Sequence, residues 1–198
     1  MNTIMQTLRK ETWLYHERLE RKLDLLNPAF SASDYSRLLI ALMGYYRPVE
    51  SCLNHFSELQ QWIPDLGLRG KTHWLANDLS VLGIAEEVIA QIPLCQNLPQ
   101  ISNVPSALGT LYVLEGATLG GRIVAEHMYQ LLGIGASNGG AFFQGYGDKT
   151  SAMWRFFGER MVEAVDSLGL VEPTIVASAC VTFEHLERWL VDGSSTYG

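Results

Sequence analysis

Near the start of the chain a cation, an imidazole and a carboxylate recur at helical spacing. Within Leu8-Arg9-Lys10-Glu11-Thr12-Trp13-Leu14-Tyr15-His16-Glu17-Arg18-Leu19-Glu20, His16 and Glu20 stand four residues apart. On a helix they share a face, and Arg9 lies two turns earlier on that face. An imidazole whose second nitrogen is held by a carboxylate, directly or through water, is a good metal ligand. The arginine would suit an anionic end of the same ligand. The competing reading is an ordinary surface helix laced with ion pairs, Arg9 to Glu11 or Glu17 for example.

A second stretch carries an unusual cost. Tyr112-Val113-Leu114-Glu115-Gly116-Ala117-Thr118-Leu119-Gly120-Gly121 places three glycines in an otherwise apolar helical segment. Each glycine weakens a helix by about 1 kcal/mol relative to alanine. Gly116 and Gly120 are one turn apart and Gly121 is adjacent, so one side of the helix is stripped of side chains. A flat molecule could then lie on the backbone. Close helix–helix packing through small residues is the alternative.

The remaining constellations are weaker. Ala141-Phe142-Phe143-Gln144-Gly145-Tyr146 and Trp154-Arg155-Phe156-Phe157 read as core aromatics, with Arg155 a solvated cation rather than a second anion contact. His55, His73, His127 and His185 have no matching partners, and read as surface or core residues with satisfied hydrogen bonds. No HExxH, paired CxxC, P-loop or GxSxG sequence occurs. Neither Glu115/Glu126 nor Glu159/Glu163 combines with an ExxH element, so a di-iron carboxylate bundle is unsupported.

The elements that must hold these residues are helical. Apolar spacing predicts a helix over residues 3–24, ended by Asn27-Pro28. A second is predicted to start after Ser33 or Asp34 and reach about Gln61, with Gly44 and Pro48 able to bend it. A short helix spans 71–82 before Gly83, and a brief one 85–91. Residues 92–104 read as loop. Asn103 caps a long helix with Pro105 in its first turn, running through Leu132 to Gly133. A glycine-rich loop over 134–147 precedes a helix over about 149–168 capped by Asp148, and Pro173 opens the last, to about Val191. No period-2 strand or internal repeat appears. The expectation is one all-α domain over 1–198, a bundle of six to eight helices with its core at about 5–190 and a frayed tail at 192–198.

Composition narrows the function class. Hydrophobic residues make up 47% of the 198 and charged residues 18%, enough for a substantial core and too few charges for a disordered chain. The net charge of −7 argues against a non-specific nucleic-acid binder. The longest apolar run, Leu38 to Tyr46, has nine residues, short of the roughly 18 that a membrane span needs. The first residues lack the apolar core and cleavage site of a signal peptide. Three widely spaced cysteines, Cys52, Cys95 and Cys180, suggest reduced thiols in a cytoplasmic protein.

Taken together, the motifs resemble the heme oxygenase family. The match consists of Arg9, His16 and Glu20; Tyr112 with Gly116-x-x-x-Gly120-Gly121; Ala141-Phe142-Phe143; and Phe183-Glu184-His185-Leu186, in order over about residues 5–190. The wording YVLEGATLGG is most similar to the bacterial branch, including enzymes that serve bacterial phytochromes. The resemblance implies heme clamped between the first helix and the glycine-rich distal helix. It implies His16 as axial iron ligand, with Glu20, Ala117 and Phe183 at the heme site. Gly116, Gly120 and Gly121 would be the distal surface on which dioxygen is activated. Arg9 and Tyr112 would hold the propionates, which implies biliverdin IXα, with carbon monoxide and free iron. Electrons would come from a ferredoxin or flavodoxin-type reductase system. Arg9, Lys10, Arg18, Arg21 and Lys22 would be its docking patch, or simply a solvated face. Ala117 departs from the pattern, since mammalian members carry an aspartate there that orders distal water. That departure keeps a non-catalytic heme carrier or sensor as an alternative, beside a related helical bundle acting on another small molecule such as a thiamine-type pyrimidine.

Overall fold

The computed structural model describes residues 3–192. Among these residues every regular element is helical: α1 (Ile4–Leu23), α2 (Ala32–His55), α3 (Ser57–Trp62), α4 (Thr72–Val81), α5 (Glu86–Ala90), α6 (Val104–Leu132), α7 (Ala141–Gln144), α8 (Thr150–Leu168) and α9 (Glu172–Asp192), with 3-10 turns at Leu66–Leu68 and Gly147–Lys149. The all-α expectation holds. Asp192 still belongs to α9, and the remainder of the expected tail, 193–198, lies outside the described residues.

The long helices pack because each buries one stripe. Leu8 of α1, Leu39, Met43 and Val49 of α2, Leu108 of α6, Phe157 and Met161 of α8 and Ala179 of α9 are all fully buried in one cluster. The closest crossing is between α6 and α9. A Cβ on Gly109 would stand 2.3 Å from the carbonyl oxygen of Ile175, so only glycine lets these backbones approach. The Thr182 and Thr110 hydroxyls are hydrogen-bonded across the crossing at 3.2 Å.

Several boundaries differ from expectation for identifiable reasons. α2 begins two to three residues early, because Ser31 caps it and Asp34 completes the capping box from the third helical position. It stops at His55, and α3 follows after Phe56. Pro48 does not end α2. Its missing N–H would leave the Gly44 carbonyl unpaired, and the Cys95 N–H donates to that oxygen at 2.9 Å. Asp148 does not cap α8: it sits in the preceding 3-10 turn, and α8 starts after Lys149 without a side-chain cap. The expected loop over 134–147 contains α7. Its first two amides, Ala141 and Phe142, donate to the buried Asp78 carboxylate of α4 at 2.9 and 2.7 Å. By contrast, α6 starts and stops where its local signals say. Asn103 accepts from the Ser106 N–H, and Gly133 ends the helix in a left-handed conformation.

Candidate functional site

Helices α1 and α6 meet at Thr12 and Tyr112. Thr12 is buried and spends its hydroxyl hydrogen on the Leu8 carbonyl at 2.7 Å. The Tyr112 phenol lies beside that side chain. Burial pushes that phenol above its usual pKa, while Thr12 and the nearby charge of Arg9 pull it back. Arg9 and Tyr112, predicted to act together, therefore do share one corner. One turn beyond Thr12 along α1 stands His16. Gly116 and Gly120 stand one and two turns beyond Tyr112 along α6.

His16 is positioned from three sides. Its Nδ1 faces the Glu20 carboxylate at 3.4 Å. Its ring lies edge-on to Phe183 of α9, 6.0 Å between centroids, and stacks beside Trp13. The side chain is 42% exposed, so the imidazole is oriented yet open. Among the described residues no three His, Cys, Asp or Glu side chains converge on a bare metal ion. A lone imidazole suits an iron whose other ligands come from a porphyrin.

Gly116, Gly120 and Gly121 of α6 divide. A Cβ on Gly120 would meet nothing within 4 Å, and one on Gly116 only the Trp154 indole at 3.8 Å. Neither glycine is required by packing, so both leave room for a flat ligand. Gly121 differs: its Cβ would stand 2.8 Å from the Phe143 carbonyl oxygen. Its absent side chain has a packing reason in the backbone of α7, beside the ligand role expected of it. Leu119 and Ile123 beside the open stretch are 41% and 64% exposed, and Trp13 on α1 is 54% exposed. Ala117 is exposed and supplies no polar group.

The basic face of α1 is partly neutralised. Arg18 and Lys22 both pair with Glu187 of α9, at 2.5 and 2.8 Å, and Lys10 pairs with Glu11. Of the five cations, Arg9 and Arg21 make no ion pair among the described residues. Arg155 is exposed and lines an open groove of about 600 Å³ with Met5, Gly158 and Val162, away from His16 and Tyr112. Two further histidines depart from expectation: the buried His127 Nε2 and His185 Nδ1 have no hydrogen-bond partner.

Two features of the site escaped the sequence reading. Trp154 is part of the wall, 5.5 Å from the Tyr112 ring and over Gly116. Behind the glycines lies a buried charge cluster. Glu115, immediately before Gly116, binds Arg69, Lys71 and the Tyr146 hydroxyl, and Arg69 also holds Asp65. Only the aromatic character of Trp154 and the charge of Glu115 in an apolar run hinted at either.

The described chain matches a family model called heme oxygenase over residues 2–192. Among solved structures, a heme oxygenase from Neisseria meningitidis, crystallised with NO and CO bound, superposes with a TM-score of 0.77. The superposition covers 98% of this chain and 94% of that one at 20% identity, a likeness of fold. No curated protein matches the sequence.

Proposed function

Because the chain belongs to the heme oxygenase family, we propose that it binds heme as substrate in one domain between α1 and α6 and cleaves it to biliverdin, carbon monoxide and free iron. The observation that carries this reading is a lone, oriented, half-exposed His16 together with a glycine stretch whose open face meets no protein atom but the Trp154 indole beside Gly116. Bound heme supplies the iron on which dioxygen is activated. The chain's own groups do the rest. His16 ligates through Nε2 while Glu20 steadies Nδ1, which raises the basicity of the ligating nitrogen. Phe183 fixes the ring plane. Arg9 and Tyr112 hold propionates at the corner they share, and that anchoring favours the IXα isomer. Gly116 and Gly120 present backbone and Ala117 only a methyl, so the proton that oxygen activation needs would come through water held on main-chain groups. No helix is long and apolar enough to cross a membrane among the described residues. The reading extends to a cytoplasmic bacterial enzyme, supplied with electrons by a ferredoxin or flavodoxin-type reductase and able to hand biliverdin to a phytochrome.

The test is hemin titration followed by a reductant or ferredoxin system in air. A Soret band that decays as biliverdin absorbance rises is the expected result. A stable Soret would convert the enzyme into a carrier, and no Soret would refute heme binding altogether. His16→Ala should lose the axial imidazole signature and regain it on adding free imidazole. A spectrum identical to the wild type would remove His16 from its role.

A further inference from the structure

The cluster around Glu115 is larger than a stray ion pair. Glu115 and Arg69 are each 1% exposed at the side chain and Lys71 is 2%. Each donor nitrogen and the phenol oxygen has at least one partner. Arg69 binds Glu115 through Nη1, Asp65 through Nε at 2.9 Å and Nη2 at 2.8 Å, and the Met153 carbonyl at 3.4 Å. Lys71 reaches Glu115 and the Arg69 carbonyl at 2.8 Å, and Tyr146 donates to Glu115 at 2.9 Å. The Arg69 guanidinium also lies over the Phe157 ring and the Lys71 ammonium over the Tyr146 ring.

Such a cluster is a poor device for stability. Removing these charges from water costs several kcal/mol per ion, and well-packed apolar residues commonly do as well. Its placement gives it another use. It ties α6 at Glu115 to the loop before α4, to Tyr146 just after α7, and through Met153 to α8 beside Trp154. On the far side of the open stretch, the Phe143 carbonyl rests against Gly121. The weakest part of α6 is thus held at both ends, and one of its walls is held by the same arginine.

We propose that Glu115 is a positioning residue, whose contacts with Arg69, Lys71 and Tyr146 fix the backbone of Gly116–Gly120 and thereby select which edge of the heme is oxidised. This rests on the heme-cleaving function above. It makes no contact with substrate, because Glu115 points into the protein and Gly116 toward the open face.

The experiment compares wild type, Glu115→Gln and Tyr146→Phe, with Leu39→Ala as a core truncation of α2 that takes part in none of the cluster's hydrogen bonds. Amide hydrogen exchange on the heme-free protein should quicken over residues 112–123 by about tenfold in Glu115→Gln, with α2 and α9 unchanged. Unchanged exchange there would overturn the clamp. With hemin, Glu115→Gln should keep the wild-type Soret and axial ligation but yield a mixture of biliverdin isomers, whereas Leu39→Ala, though less stable, should keep the wild-type product. A single wild-type isomer from Glu115→Gln, or an equal scatter from Leu39→Ala, would overturn the proposal. Should Glu115→Gln fail to fold, Tyr146→Phe removes one hydroxyl and decides the same two readouts with a smaller effect. If the wild type itself binds no hemin, the functional reading fails, while the exchange comparison still decides whether Glu115 holds the segment.

Discussion

Replacing Gly120 and its neighbour Gly121 by alanine, one at a time, separates a glycine kept for a ligand from one kept for packing. Both lie inside α6, so each substitution gains about 1 kcal/mol of helix propensity. At Gly120 nothing opposes that gain, because the new methyl meets no atom within 4 Å. Gly120→Ala should therefore stabilise the heme-free protein by about 1 kcal/mol, raising Tm by roughly 2–4 °C in a chain of this size. At Gly121 the methyl would stand 2.8 Å from the Phe143 carbonyl oxygen, a backbone atom that cannot swing aside. Overpacking of that kind costs about 1–3 kcal/mol, so Gly121→Ala should be neutral to about 2 kcal/mol less stable. Calorimetric melting of the heme-free variants reads both effects. Hemin titration then reads the cost to function: a methyl between α6 and a flat ligand should weaken hemin binding in Gly120→Ala by about tenfold, or ~1.4 kcal/mol. A lower Tm in Gly120→Ala would show that its face is filled by protein. A higher Tm with unchanged hemin affinity and turnover would leave the glycine without a ligand to explain it, and would refute the argument for the distal surface.

Asp78→Ala should unpair the buried N–H groups of Ala141 and Phe142 at about 1–3 kcal/mol each, seen as a clear fall in Tm and faster amide exchange in α7, while Asp78→Asn, which keeps one acceptor oxygen, should lose less; an unchanged melt in Asp78→Ala would exclude the remote cap. Glu187 is desolvated, which alone would raise its pKa, but hydrogen bonds from Lys22 and Arg18 outweigh burial and hold the carboxyl below its usual value. A depressed pKa means stability present above the ordinary carboxylate range of about 4.3 and lost as pH falls through the lower folded value, so the Tm gap between wild type and Glu187→Gln should shrink from pH 7 to about pH 3; a constant gap would show that the charge adds nothing.

Local signals carried the parts of the site that are local. Asn103, Pro105 and Gly133 sit beside the ends of α6 they determine, and the four-residue step from His16 to Glu20 is itself the geometry that brings their side chains within 3.4 Å. What sequence spacing could not resolve depends on partners far along the chain. The carboxylate that starts α7 comes from Asp78, 63 residues before Ala141. Arg69 and Lys71 precede Glu115 by 46 and 44 residues, and Tyr146 follows it by 31. For the same reason Gly116, Gly120 and Gly121 looked alike in the sequence. What tells them apart lies across from each: open space at Gly120, an indole at ordinary contact distance at Gly116, and the backbone of α7 at Gly121.

That difference among the glycines explains why a weak helix is usable here. A helical stretch with three glycines in six residues, as over 116–121, loses about 3 kcal/mol and would bend or fray wherever nothing restrains it. Here the restraint is confined to the face turned away from the ligand. Glu115 is bound by two cations and a phenol at one end, and Gly121 is pressed against the Phe143 carbonyl at the other. Between them the face carrying Gly116 and Gly120 meets only the edge of Trp154. On the function and clamp proposed above, side-chain-free backbone would face the heme while being held from behind, the combination a regioselective oxidation requires: room for oxygen beside the ring, and a fixed surface to decide which edge it reaches.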